Sequence, residues 1–181
     1  MLVNISESAH YTSVGDYEKI QNWGIGRSKL DEEYVRKEAL AWLRKHYETF
    51  RFEIPLMIFH GKGMTLSEYI KRHIPNLSLI PRYESLHIEP DLIGLMVMSD
   101  SVLVWIIGEC KYGNLTYKDL TQSKNYCDIA RPYEGYLFYT GKRSAPVQAN
   151  IDRGNDMFQG VNRLGKPVKK RLHIYKLIAH A

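Results

Sequence analysis

Cysteine is scarce in this 181-residue chain, with Cys110 and Cys127 the only two. Two thiols make no disulfide framework, and an iron–sulfur cluster would need four; a Cys-rich zinc site is equally unsupported. A reducing interior, and hence a cytoplasmic setting, is the expectation. No stretch approaches the roughly 18 apolar residues of a membrane span, so no membrane partner is expected. The opening MLVNISESAHYTSVGDYEKI lacks a basic segment followed by an apolar one, so no secretory signal is expected. The three N-x-[ST] matches, at Asn4, Asn76 and Asn114, are accordingly read as chance. Repeats, low-complexity runs and linkers are also missing, and the length suits one domain with a proper core.

Positive charge is in excess, with 25 Lys+Arg against 20 Asp+Glu and a net charge of +5. That balance suits an anionic partner, nucleic acid first among them, although many basic proteins bind no polyanion. Thirteen tyrosines serve packing or base stacking equally well.

Residues 1–27 are polar, punctuated by Gly and Ser, and read as a lead-in with one short helix at most. The remainder, 28–181, reads as a single domain. SKLDEEYVRKEALAWLRKHYETF predicts a long helix, with Ser28 and Asp31 as a capping-box-like start and Val35, Ala39, Trp42, Leu43, Tyr47 and Phe50 on one face. The Pro-interrupted RFEIPLMIFHG suits an edge strand or loop. TLSEYIKRHI suits a short helix. LSLIPRYESLHI, DLIGLMVM and VLVWIIGECKY read as a three-strand meander, the last two joined by a turn at residues 99–101. Thr116 and Asp119 cap a helix, YKDLTQSKNYCDIA, that Pro132 closes. EGYLFYTG is a further strand, NIDRGNDMFQGVNRLG is weakly helical, and KRLHIYKLI is a final strand. The expected fold is α/β, a central sheet flanked by helices.

Three local signals carry chemistry. HIEPDLIG puts Asp91 at a strand start, where a lone Pro-Asp is ordinarily a turn. WIIGECKYG ends an apolar strand in Glu109 and Lys111. Strand alternation puts both on one side, and the plain reading is an ion pair at a strand exit. In a meander Asp91 and Glu109 can converge at one end of the sheet. Two carboxylates there, with the Cys110 carbonyl, would suit Mg²⁺, and Lys111 would be aimed at the same spot. QSKNY puts Gln122 and Tyr126 one helical turn apart, where an amide and a hydroxyl can reach a phosphodiester or can form an ordinary helix surface.

In that order and context, PDLIGLMVMSDSVLVWIIGECKYG, LTQSKNY and EGYLFY resemble the core of the PD-(D/E)XK nucleases, and the Q-x-x-x-Y helix is similar to that of their RecB-like branch. The resemblance covers roughly residues 84–140. It implies a restriction-endonuclease-like core of order αβββαβ and a Mg²⁺- or Mn²⁺-dependent deoxyribonuclease acting at ends or on single strands. Asp91 and Glu109 would be the metal ligands and Lys111 the catalytic lysine, with Gln122 and Tyr126 engaging DNA. The family also has an acidic residue in its first core helix, for which Glu38 is preferred over Glu68, His46 and His73. Lys124 lies inside the Q-x-x-x-Y turn; Lys142, Arg143 and the cations of KPVKKR are less specific phosphate contacts. No helicase motif is present, so a helicase or recombination protein would be a separate partner, and a homodimer is a common arrangement for such small nucleases. The competing readings are a junction-resolving endonuclease, a nucleic-acid-binding protein that cleaves nothing, and a structural protein in which the motifs are coincidence.

Overall fold

The structure, a computed structural model, describes residues 20–21, 31–48, 54–60, 63–74, 83–98 and 102–178. It is a mixed α/β fold. Its elements are β1 (Ile20–Gln21), α1 (Glu32–Glu48), β2 (Ile54–His60), α2 (Leu66–His73), β3 (Leu92–Val97), β4 (Leu103–Lys111), α3 (Tyr117–Ala130), β5 (Glu134–Tyr139), α4 (Ala145–Asp152), β6 (Met157–Val161), β7 (Pro167–Arg171) and β8 (His173–Ile178). Six strands form the central sheet in the order β1-β8-β5-β4-β3-β2, and β6 and β7 form a separate antiparallel hairpin. The β2, β3 and β4 strands are an antiparallel meander, whereas β4, β5, β8 and β1 run parallel. Parallel neighbours need a crossover, and α3 supplies the one between β4 and β5.

Helices cover both faces of this sheet, so its strands are apolar on both sides. Even-numbered residues of β4 (Val104, Ile106 and Cys110) pack with Leu92 and Met96 against Val35, Ala39 and Leu43 of α1. On the other face Ile107 and Ile93 pack with Leu66 and Ile70 of α2, Leu120 and Cys127 of α3, and Val147 and Ile151 of α4.

Three expectations are corrected. Asp31, rather than a Ser28–Asp31 box, starts α1: its carboxylate accepts the Tyr34 N–H at 3.0 Å, and Ser28 lies outside the described residues. The first meander strand is β2, with an irregular register between Ile54 and Met57 that falls at Pro55. The expected strand through LSLIPRYESLHI is instead a 3₁₀ turn (Tyr83–Ser85) and an extended tail, with residues 77–82 outside the description. Its backbone is committed elsewhere, because the carbonyls of Ile88 and Leu86 accept the N–H groups of Leu66 and Ser67 at 2.8 and 3.0 Å. These are orphan donors at the start of α2 that would otherwise need other partners. The helix expected near residues 150–165 lies earlier, capped by Ser144, and Met157–Val161 pairs as a strand. The turn at residues 99–101 and residues 1–19 of the lead-in lie outside the described residues. The lead-in's Ile20–Gln21 forms β1.

Candidate functional site

Asp91 immediately precedes β3, and the β3–β4 register runs Leu92 to Gly108. One step further along the ladder, Asp91 faces Glu109. The two carboxylates therefore meet on one face of neighbouring strands, as alternation requires. Both are buried, Asp91 at 9 % exposure and Glu109 at 3 %. The Asp91 N–H donates to Glu109 Oε1 at 3.3 Å, and Asp91 Oδ2 accepts the Cys110 N–H at 2.8 Å. A residue's N–H and C=O point to the same strand edge, so the Cys110 carbonyl faces the gap beside Asp91. Its thiol lies on the opposite, α1 face, fully buried.

Lys111 Nζ stands 3.5 Å from Glu109 Oε2. Burial opposes the Lys111 charge, but the carboxylates of Glu109, Asp91 and Glu32 outweigh it and raise its pKa. Glu109 has the opposite balance. Burial, and then the facing Asp91 carboxylate, push its pKa up to about 8 despite Lys111. Burial and the like charge facing it both favour the protonated form of this carboxyl.

α3 brings the third signal to the same place. Its N-terminus is fixed by a full capping box, Thr116 Oγ1 accepting from Asp119 N–H and Asp119 Oδ2 accepting from Thr116 N–H at 2.9 Å. Its C-terminus turns at Arg131, in the left-handed region at φ 49°, before Pro132. Trp105 Nε1 ties the last turn to β4 by donating to the Ala130 carbonyl at 2.8 Å. Held at both ends, α3 presents Gln122, whose Nε2 donates to Glu109 Oε2 at 3.2 Å and to Tyr126 Oη at 3.3 Å. The loops leaving β4 and β5 are clasped beside the site by the Gly141 N–H on the Gly113 carbonyl (2.7 Å) and the Leu115 N–H on the Lys142 carbonyl (2.9 Å). A Cβ at Gly141 would come within 2.4 Å of the Gly113 backbone, so only glycine permits this approach.

The structure thus brings together Asp91, Glu109, Lys111, Gln122 and Tyr126. It does not bring Glu38 or Lys124 to them. Among the described residues, no hydrogen bond or ion pair joins Glu38 to the cluster, and burial raises its pKa. The acid of α1 that acts on the site is Glu32, six residues earlier and about 9 Å along the axis. Lys124 instead pairs with Asp128 on its own helix.

Arg36 is the residue that sequence reading missed. Buried at 6 % exposure, it donates from Nε to Asp91 Oδ1 at 2.8 Å and from Nη1 to Glu33 at 3.1 Å, and its Nη2 pairs with Glu32. Glu32, Glu33 and Arg36 look like ordinary i,i+3 and i,i+4 surface pairs. A signal was present in the helical spacing of Arg36, Ala39 and Leu43, which places Arg36 on the buried stripe.

No family model, curated protein or solved structure matches this chain. The site must be judged on its own chemistry. Among the described residues, no three His, Cys, Asp or Glu side chains gather as a metal cage. Mg²⁺ needs no such cage, since it binds through one or two carboxylates plus waters and phosphate oxygens. The facing pair offers carboxyl oxygens from two adjacent strands, and a divalent cation there would displace the proton that burial and Asp91 favour on Glu109, so in that respect the residues fit. No helix among the described residues is long and apolar enough to cross a membrane.

Proposed function

We propose that this protein is a Mg²⁺- or Mn²⁺-dependent deoxyribonuclease, a PD-(D/E)XK nuclease of the RecB-like kind on a restriction-endonuclease-like core. The observation that carries this reading is the pair Asp91–Glu109, two buried carboxylates facing each other across β3 and β4 with Lys111 at 3.5 Å. The order α1-β2-β3-β4-α3-β5, with α2 inserted after β2, also contains the αβββαβ sequence of that core.

In this reading Asp91, Glu109 and the Cys110 carbonyl hold the cation. When bound, the cation would polarise the phosphate and acidify a water. Lys111 orients the attacking water and offsets charge growing on the phosphate. Gln122 fixes the Glu109 carboxylate through its amide, and Tyr126 holds that amide in turn. Arg36 clamps Asp91 from the opposite face, a positioning role.

Arg36 also favours a second reading, a nucleic-acid-binding protein that cleaves nothing. Its guanidinium neutralises Asp91 without a metal, and Glu32 and Glu33 balance it in turn. The deciding experiment is cleavage of end-labelled single-stranded, duplex and branched DNA with Mg²⁺, Mn²⁺ or EDTA. Wild type would be compared with folded Asp91→Ala and Lys111→Ala. Metal-dependent cutting lost in both variants supports the nuclease, and the product ladder separates end-directed from junction-resolving cleavage. A folded, DNA-binding wild type that cuts nothing leaves the silent binder. Cutting that survives both substitutions moves the active site elsewhere.

A further inference from the structure

Tyr117 opens α3 with 54 % of its surface exposed, the most exposed large hydrophobic residue in the described chain. It begins an open groove of about 540 Å³ along the helix, lined by Tyr117, Lys118, Thr121, Gln122, Asn125 and Tyr126. That volume lies within the roughly 300–1,000 Å³ of small-ligand sites. Gln122 belongs both to the groove and to the carboxylate cluster, so the two are continuous. Tyr117 precedes Gln122 by five residues, about 7.5 Å of helix axis. A stacked strand rises about 3.4 Å per nucleotide, so the groove is about two nucleotides long.

We propose that this groove seats the unpaired bases of a single DNA strand next to the phosphate at Asp91, Glu109 and Lys111, with Tyr117 as the stacking platform. The proposal rests on the nuclease reading and adds to it a base-stacking residue, Tyr117, outside the carboxylate cluster. An aromatic face left open to solvent can be covered by any unstacked base, whereas a base inside a duplex already has neighbours on both faces. Exposed Lys118 supplies charge for the backbone, and exposed Asn125 offers an amide to a base edge. Charge argues against a second copy of this chain as the occupant, since Lys118 would meet its like in a molecule already at +5.

The test places 2-aminopurine at successive positions of a single-stranded oligodeoxynucleotide and reads its fluorescence with the full chain in EDTA, beside KM for that strand and for blunt duplex in Mg²⁺. Stacking predicts quenching at one or two positions. Tyr117→Ala should abolish the quench and raise KM for single strands about tenfold, a larger change than for blunt duplex, while Tyr117→Phe keeps both. Ile129→Ala, equally exposed on the same helix but outside the groove, is the unchanged control. Circular dichroism checks the fold of each variant. If Tyr117→Ala keeps the quench and the KM while wild type cuts, the groove is wrong and the nuclease stands. A Tyr117→Ala that changes only the oligomeric state makes the groove a contact between copies and overturns the proposal. A wild type that neither binds nor cuts DNA overturns the nuclease reading itself.

Discussion

Two glutamates on adjacent parallel strands have opposite fates. Glu109 is near the end of β4 and Glu134 begins β5. Glu134 has a partner for each oxygen: Lys170 Nζ lies 3.1 Å from Oε1 and His173 Nε2 2.5 Å from Oε2. Burial alone would raise its pKa, but His173 and Lys170 outweigh burial and lower it. Lys170 in turn sits 4.1 Å above the Tyr133 ring, and a Tyr47–Tyr136 hydroxyl pair at 2.6 Å fills the interior nearby. Glu109 has one lysine at 3.5 Å and a second carboxylate facing it, and its pKa rises to about 8. One end of the sheet is electrostatically closed and the other is left short of positive charge. At the other end Arg36 is committed to Asp91, and Glu109 is left with Lys111 alone against a facing carboxylate. In the proposed nuclease that difference is where a cation would bind.

Substitution to glutamine sharpens this contrast most at Glu109. The raised folded-state pKa means that the folded protein keeps a proton that the unfolded chain has released. Stability therefore falls as pH rises from about 4.5 to about 8, and the full penalty applies above that. Glu109→Gln should abolish cleavage and also stabilise the protein in EDTA at pH 9, raising Tm by roughly 5–10 °C, with little change near pH 4. Scanning calorimetry across pH checks it. A variant that is less stable than wild type at pH 9 would return Glu109 to the role of a structural ion-pair partner.

Arg36 comes next. Removing one partner of a buried ion pair costs about 3–5 kcal/mol, so Arg36→Met should lose roughly 3 kcal/mol in EDTA as Asp91 Oδ1 is left facing Glu32, Glu33 and Glu109 without its guanidinium. Millimolar Mg²⁺ should recover more stability in Arg36→Met than in wild type, because a cation at Asp91 replaces the missing charge. Urea unfolding with and without Mg²⁺ measures both. Equal Mg²⁺ effects in the two proteins would count against a cation at Asp91.

At the closed end the sign reverses. A lowered folded-state pKa gives stability that is present above the unfolded value of about 4.5 and lost as pH falls through the folded value. Glu134→Gln should cost about 1–2 kcal/mol at pH 7, and the gap to wild type should narrow as the carboxylate takes up a proton in acid. Cleavage should be unaffected. A Glu134→Gln protein with normal stability and reduced cutting would make this end part of the site.

Much of this arrangement was legible in the chain because it is local. Alternation put Glu109 and Lys111 on one side of β4, and the Thr116–Asp119 box fixed the start of α3 and hence the heading of Gln122 and Tyr126. The facing of Asp91 and Glu109 needed only the meander, even though the strand first assigned to it, LSLIPRYESLHI, proved to be the support for the start of α2. What was not legible depends on long-range packing. Arg36 meets Asp91 across 55 residues, and which acid of α1 serves the site depends on where that helix crosses the sheet. Glu38 borders the apolar stripe, but Glu32 lies one turn before Arg36 and shares its face. The partners of Glu134 come from β7 and β8, so no window of sequence contains them.

The smallest effect separates the two flanks of α3. Lys124 is two residues, or about 200°, around the helix from Gln122, and it is turned to Asp128 rather than to the carboxylates. Asp128 also accepts the Gln159 N–H at 3.0 Å, so it keeps a partner without the lysine. Lys124→Ala should therefore cost about 0.5 kcal/mol or less, as exposed i,i+4 pairs do. Its DNA affinity should fall with salt along the wild-type slope. A lysine that touches a phosphate would reduce that slope by about one unit when removed. Such a loss would route the strand over the Asp128 flank, away from Tyr117, so a salt titration of this one variant reports which side of α3 the DNA follows.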